Sequence, residues 1–418
     1  MRDDARAGDR KVLSPSEGLK RLSDRLLILP GQGASIAILT ERGVVMIDAG
    51  PGGGVTARMI RELRAWTDAP VRAICYSHGH GGYNDGVADW LAHAAERGEP
   101  GPALIAQANL PRRYARYRET EGLQRRLNAN QFPQFRLSRP SVALRDPTVT
   151  FETEHVLEGA PEIRLLAAPS ETDDAMAVWI PEEGTLWAGA AFPGTTIPNI
   201  GTPLRTLRLT IRWAETLERL AALGARRLVP EFGRIVEGEE EVRQHLVGSA
   251  EGLRWLRREV VERMNRGMGE IDIVHDIDPP AALFDQPWMR ERYGAISYIV
   301  RDLWREENGW WDRNPTSLHP ARPDEAAAAA LSAIADRSAV LARARALAAE
   351  GETQLALHVV DLLALAPGDA ADLIEARALK AELCRKRAEE LRPYVSKALY
   401  ETSAARLEAG RRVWADDQ

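Results

Sequence analysis

Residues 21–80 read as strand, strand, strand, helix, strand, and residues 149–235 repeat that order. In the first stretch, short apolar runs at Leu26–Leu29, Ser35–Leu39 and Gly43–Ile47 are separated by the turns Pro30–Gly33 and Glu41–Gly43. Met59, Ile60, Leu63 and Trp66 then recur at helical spacing, before a further strand-like run from Val71 to Tyr76. In the second stretch the strands are predicted at Ile163–Ala168, Ala175–Ile180 and Thr185–Ala188, around the acidic turn Pro181–Gly184. An amphipathic helix over Leu207–Leu223 and a short strand at Arg227–Pro230 complete it. A chain that alternates these elements twice builds stacked α/β layers, with sheets inside and helices outside.

The remainder has a different character. The stretch 103–147 is polar and rich in arginine, with Tyr114, Tyr117, Phe132 and Phe135 interspersed, and reads equally as helix or as long loop. After about residue 240 the periodicity is helical, over Leu246–Arg266 and Tyr293–Glu307, with a linker at Pro315–Pro323. Helices follow at Ala326–Ala349, Glu352–Leu365 and Ala370–Leu391, and a last one runs to about Val413. These alanine-rich pairs resemble tetratricopeptide-type hairpins, in too few copies for a free solenoid. The expected division is a flexible arm over 1–20, a layered domain over 21–240 and a helical domain over 241–418.

Composition narrows the function. With 44% hydrophobic and 28% charged residues in 418, the chain is neither disordered nor fibrous. Its net charge of −6 offers no overall basic field for nucleic acid or an anionic membrane. Cys75 and Cys384, far apart, make no disulfide framework. No apolar core follows the polar N-terminus, and no long apolar window exists, so no secretory signal or membrane span is expected. A cytoplasmic location is the expectation, with a small-molecule substrate.

Chemistry concentrates at Tyr76-Ser-His78-Gly-His80, directly after a predicted strand. Two histidines at i and i+2, with only a glycine between, can turn both imidazoles to one point at a sheet edge, as a metal requires. The same pair could merely be hydrogen-bonded. Its context is the turn Met46–Gly50, then Ala168-Pro-Ser-Glu171-Thr, then Leu186–Phe192, then Val229-Pro-Glu-Phe-Gly233. That order resembles the metallo-β-lactamase fold over roughly 25–240. Downstream, Tyr293-Gly, Asp302-Leu-Trp, Gly309–Pro320, Gly351–Ala356 and Leu365–Asp369 resemble the dimerisation domain of alkyl sulfatases. The resemblance implies an αββα sandwich followed by an all-α dimerisation domain, a homodimer, and a hydrolase that uses two zinc ions on alkyl sulfate esters. It also leaves no room, before Gln418, for that family's sterol-carrier-like third domain.

Departures from the family pattern fall into one group. The motif HxHxDH reads here His78-Gly-His80-Gly-Gly82-Tyr83, so the Asp and the third His are missing. Glu171 stands where alkyl sulfatases carry Glu; Gly189 and Ala190 stand at the acidic ligand, and Phe232 at the last His. The resemblance thus keeps the first metal's ligands, His78, His80 and Glu171, and erases the second's. Two imidazoles and a carboxylate can hold one divalent ion with open positions, whereas Gly, Ala and Phe donate nothing. Zinc is favoured, with iron(II) or manganese as alternatives.

Around this centre, Glu231, Asp85 and Tyr83 are the candidate catalytic groups, with Tyr83 and Phe232 filling the vacated space. Arg205, Asn199 and Phe232 are the candidate substrate contacts; Arg205 and Asn199 resemble the family segment that faces the sulfate. Asp48 is expected to orient the histidine loop, Asp173 and Asp174 to be solvated or capping, and the arginines of 112–126 to form a solvated face. The leading reading is a mononuclear hydrolase of a small organic, sulfate-like ester. A mononuclear non-haem iron enzyme (oxygenase, lyase or isomerase) uses the same ligand set, and a non-catalytic dimeric scaffold is the third reading.

Overall fold

The structure, a computed structural model, describes residues 18–132 and 144–412. The arm expected over 1–20 falls outside them up to residue 17, as do Phe135 and Val413. Among the described residues the chain forms two compact units, one of 18–121 and 144–307, the other of 122–132 and 308–412.

The first unit opens with β1 (Lys20–Arg21), β2 (Leu26–Pro30), β3 (Ala34–Thr40), β4 (Gly43–Ile47), α1 (Gly53–Trp66) and β5 (Val71–Cys75). Next come α2 (Val87–Glu96), β6 (Ala103–Gln107), α3 (Leu110–Glu119) and β7 (Val149–Phe151); α4 (Glu121–Gln131), which lies between α3 and β7 in the chain, belongs almost wholly to the second unit. Much of the arginine-rich stretch is therefore helical. Strands β1 to β7 lie in sequence order in one sheet, antiparallel as far as β4 and parallel from there on. Alternation explains why both of its faces are covered. Ile28, Ile36, Ile38, Val45 and Ile47 point into the space between sheets, while Leu27, Leu29, Ala37 and Met46 meet Met59, Leu63 and Trp90 of α1 and α2.

A second sheet is built from β8 (Glu154–Leu157), β9 (Ile163–Ala167), β10 (Met176–Ile180), β11 (Thr185–Gly189), β12 (Arg227–Pro230) and β13 (Val236–Glu237). Its strands are ordered β13-β12-β11-β10-β9-β8, with only the β11–β12 pair parallel. Leu165, Met176, Val178, Ile180 and Trp187 complete the inter-sheet core. Its outer face carries α5 (Thr210–Ala221) and α6 (Glu239–Asn265), followed by α7 (Glu270–Asp276), α8 (Ala281–Phe284) and α9 (Ile296–Asn308). Trp179 and Leu186 of this sheet share one core with Trp213, Leu217, Leu253, Leu256, Leu303 and Trp304. The result is an αββα sandwich. Because α6 and α9 bury their apolar stripes here, this unit continues to Glu307, well past the boundary expected at 240.

In the second unit, α10 (Pro315–Leu318), α11 (Pro323–Ser332), α12 (Arg337–Ala349), α13 (Thr353–Ala364), α14 (Ala371–Glu390) and α15 (Tyr394–Glu408) accompany most of α4. Leu341, Ala344, Leu357, Val360, Leu373, Ala376 and Leu383 make their common core. The single helix expected over 326–349 is two helices. Asp336 accepts from the amides of Ser338 and Ala339 at 3.0 and 3.2 Å and starts α12 afresh. Among the described residues, no helix is long and apolar enough to cross a membrane.

Candidate metal centre

The histidine loop leaves the C-terminal end of β5 in the first sheet, and Glu171 follows β9 in the second. Their donor atoms, with those of His80, lie within 4.8 Å of one another. His78 Nε2 is 3.0 Å from His80 Nδ1, and His80 Nδ1 is 3.8 Å from Glu171 Oε2. Ligands placed about 2.0–2.2 Å from one ion are about 3–3.5 Å apart, so these spacings suit a divalent cation. Burial holds the His78 imidazole below its usual range, against the pull of Glu171 and Asp174. Burial, reinforced by His78 and by the Arg208, Arg113 and Arg205 charges, holds His80 far lower. Neutral imidazole is the form that binds metal.

Several groups hold this arrangement in place. The Ser77 hydroxyl lies 2.9 Å from His78 Nδ1. Asp48 sits in the turn after β4 with φ at 63°, a left-handed conformation that Asp tolerates better than most residues. Its Oδ1 accepts from the Ser77 amide and from Asn84 Nδ2, each at 2.8 Å, which ties the turn to the histidine loop. Burial raises the Asp48 carboxyl to about 6. Gly79 is required by crowding: a Cβ there would come within 2.6 Å of Arg113 Cδ and 3.1 Å of Asp174 Oδ2.

Glu171 is held from the side opposite the histidines. Its Oε1 accepts from Asn199 Nδ2 at 2.8 Å and lies 3.1 Å from the Arg208 guanidinium. Asn199 is thus turned onto Glu171, where sequence reading had it facing substrate. The Arg208 amide donates to Asp302 Oδ2 on α9 at 3.1 Å. Gly201, at φ +66°, lets this loop lie directly against the Tyr298 carbonyl. Arg208 and Asp302 were missed as site residues. Arg208 lies three positions beyond Arg205, but nothing local marks its reach to Glu171. Arg205 itself is half-buried, and desolvation lowers its guanidinium's pKa, with Tyr293, Arg208, Tyr117 and Glu171 also acting on it.

Beside the histidines the space is occupied. The Tyr83 ring packs 4.4 Å from that of His78, and its hydroxyl donates to Glu231 Oε1. Burial, and then the Glu171 charge, push the Glu231 carboxyl well above its ordinary range; the Tyr83 bond opposes this. Tyr83 is raised as well, by burial and by Glu231. Gly189 has no room for a side chain, because the Trp187 ring fills the position its Cβ would take. Phe232 is buried next to Glu231. Asp85 is not grouped with these atoms; it is half-buried and its charge acts on Tyr114. Asp174, expected to be solvated or capping, is fully buried and paired with Arg113, which also binds Asp173 at 2.6 Å. The helix carrying Arg113 is therefore only partly the solvated face that its composition suggested.

Residues 28–232 match the metallo-beta-lactamase superfamily, and residues 270–410 match the alkyl sulfatase dimerisation family. The chain is a metallo-beta-lactamase-fold protein with an alkyl sulfatase dimerisation domain. It is similar to a linear primary-alkylsulfatase of Pseudomonas sp., 25% identical over 344 residues that make up 77% of this chain and 64% of that protein. It is also similar to the alkyl/aryl-sulfatase BDS1 of Saccharomyces cerevisiae, 26% identical over 55% of this chain and 36% of that one. The chain thus spans less than two thirds of the length of these relatives. The stereoselective inverting sec-alkylsulfatase Pisa1 from Pseudomonas sp. shares its fold, with a TM-score of 0.82 and 20% identity over 94% of this chain and 66% of that chain. Within this superfamily, which binds divalent metal, the described residues offer a single His and carboxylate cluster, His78, His80 and Glu171.

Proposed function

We propose that this protein is a metal-dependent hydrolase of the alkyl sulfatase type, acting on a small organic sulfate ester with one divalent ion, zinc, on His78, His80 and Glu171. The observation that carries this reading is the lopsided centre: three donors converge on one side, while the Tyr83 ring packs on His78 and Trp187 fills the place of a side chain at Gly189. Zinc in such a ligand set polarises an ester oxygen and lowers the pKa of water. The chain's own groups supply the rest. Burial pushes the Glu231 carboxyl well above its ordinary range, which makes it the candidate to donate a proton to a leaving oxygen, with the Tyr83 hydroxyl fixing its orientation. Arg205 is the cation for the sulfate oxygens. Asn199 and Arg208 hold Glu171, and Phe232 walls the site against water.

The similarity to alkylsulfatases supports a homodimer joined through the helical region, with an interface built largely from 240–320. Trp310 there is 70% exposed, and Leu365 and Ile374 are 54% and 53% exposed, in keeping with surfaces that a partner covers. The test of function is sulfate release from a series of alkyl sulfates by zinc-loaded protein, beside His78→Ala and Glu231→Gln. Release that requires His78 and falls at least about a hundredfold in Glu231→Gln is expected. No release from any ester overturns the reading, and iron in the purified protein with oxygen uptake favours the oxidative alternative.

A further inference from the structure

A cleft of about 490 Å³ opens beside Glu171, and its wall is strongly cationic: Arg112, Arg113, Arg116, Arg208 and Arg212 against Glu171 and Asp173. Two of these guanidiniums are already neutralised. Arg113 pairs with Asp173 and Asp174, and Arg208 with Glu171. Arg112, Arg116 and Arg212 have no carboxylate within 4.0 Å among the described residues, although the chain as a whole is acidic. Arg116 instead lies over the Tyr117 ring, 5.1 Å from its centroid.

Helix physics opposes this placement. Arg112 and Arg116 are four residues apart on α3, a spacing at which like charges destabilise a helix. Arg212 is the third residue of α5, in a first turn that holds no acidic residue, where the helix dipole disfavours a cation. Arg116, in the last turn of α3, is favoured by the helix dipole, but Arg112 and Arg212 are not; three cations without a carboxylate partner among the described residues, facing one concavity, are what an anion-binding wall requires. The pocket also presents little to an alkyl chain: Leu207 and Leu209 are the only large apolar side chains in its lining.

We propose that this cleft is a second anion subsite, in which Arg112, Arg116 and Arg212 take a negatively charged group at the far end of the substrate. Resting on the hydrolase reading above, the substrate is then a small ester whose tail bears a carboxylate, sulfate or phosphate in place of a long alkyl chain. The reacting sulfate belongs at Arg205 and the metal ligands; the tail anion belongs at the arginine wall.

Sulfonates test this without turnover, since the ester oxygen is absent. Calorimetry of zinc-loaded, full-length protein compares butane-1,4-disulfonate, butane-1-sulfonate and octane-1-sulfonate. The disulfonate is expected to bind about tenfold tighter than butane-1-sulfonate, as three guanidiniums facing one concavity allow. The triple variant Arg112→Gln, Arg116→Gln, Arg212→Gln erases that difference while changing butane-1-sulfonate affinity by less than about twofold. These arginines are at the surface, so the variant keeps the fold, which circular dichroism checks. Equal affinities for mono- and disulfonate, or tightest binding of octane-1-sulfonate, overturn the subsite. Loss of butane-1-sulfonate binding in the triple variant also overturns it, because the wall would then hold the reacting group. Should the disulfonate preference stand while no sulfate ester is cleaved, the hydrolase reading fails and the anion subsite survives.

Discussion

Arg208 and Glu171 make a buried pair whose worth can be worked out and then taken apart. Their side chains are only 5% and 12% exposed, and the charged atoms are 3.1 Å apart. At an effective dielectric of about 20 the attraction at that distance is about 5 kcal/mol. Removing one partner of such a pair costs about 3–5 kcal/mol, because the other charge stays buried alone. Arg208→Met, which keeps the bulk and leaves the backbone bond to Asp302 in place, is therefore expected to lower the unfolding free energy of chelator-treated protein by that amount. Adding Glu171→Gln should return most of the loss, since no uncompensated carboxylate remains. Zinc should shrink the Arg208→Met penalty too, because the ion supplies the positive charge that the guanidinium no longer does. Urea denaturation of the four proteins, with and without zinc, is the assay. An Arg208→Met loss below about 1 kcal/mol, or strictly additive single and double changes, would refute the reasoning.

Three further outcomes are expected. Asp48 is raised from 3.8 to about 6, so its contribution to stability is present below pH 3.8 and is lost as pH rises through about 6. Asp48→Asn, neutral throughout and still able to accept from Ser77 and Asn84, should gain on the parent by up to about 3 kcal/mol between pH 4 and 7 in metal-free protein; parallel denaturation profiles would contradict this. Gly201→Ala places a Cβ against the Tyr298 carbonyl at a left-handed φ and should cost at least about 2 kcal/mol, with a weakened zinc affinity read by competition with a chelating dye. Tyr83→Phe leaves the Glu231 carboxyl without its buried donor and should cost about 1–3 kcal/mol in stability while shifting the pH profile of any sulfate release.

Much of this architecture is legible in the chain because the physics behind it is local. Ile28, Ile36, Ile38, Val45 and Ile47 alternate with residues facing the outer helices, so the sheet and its two covered faces follow from period two. His78 and His80 are neighbours, and one glycine between them suffices to suggest their convergence. Glu171 could be named only through the resemblance, since its partners lie more than ninety positions away in the other sheet. What stayed hidden depends on distant packing. Nothing near Arg208 reports that Asp302 will receive its amide. Nothing near Asp174 reports that Arg113 will draw it into the interior. The arginines of α3 looked like a solvated face because composition cannot tell a surface from a cleft. The separate helices α11 and α12 were merged for a similar reason: alanine-rich periodicity runs through 333–336, and the cap at Asp336 that interrupts it is a single side chain.

The account stands or falls on how many ions the folded chain retains. Elemental analysis of protein purified without chelator or added metal, set against amino-acid quantitation, should return one zinc per chain, and close to none in His78→Ala and Glu171→Ala. Two ions per chain would mean that Tyr83, packed on His78, does not exclude a second, and a metal content unchanged by both substitutions would remove the centre from these residues altogether.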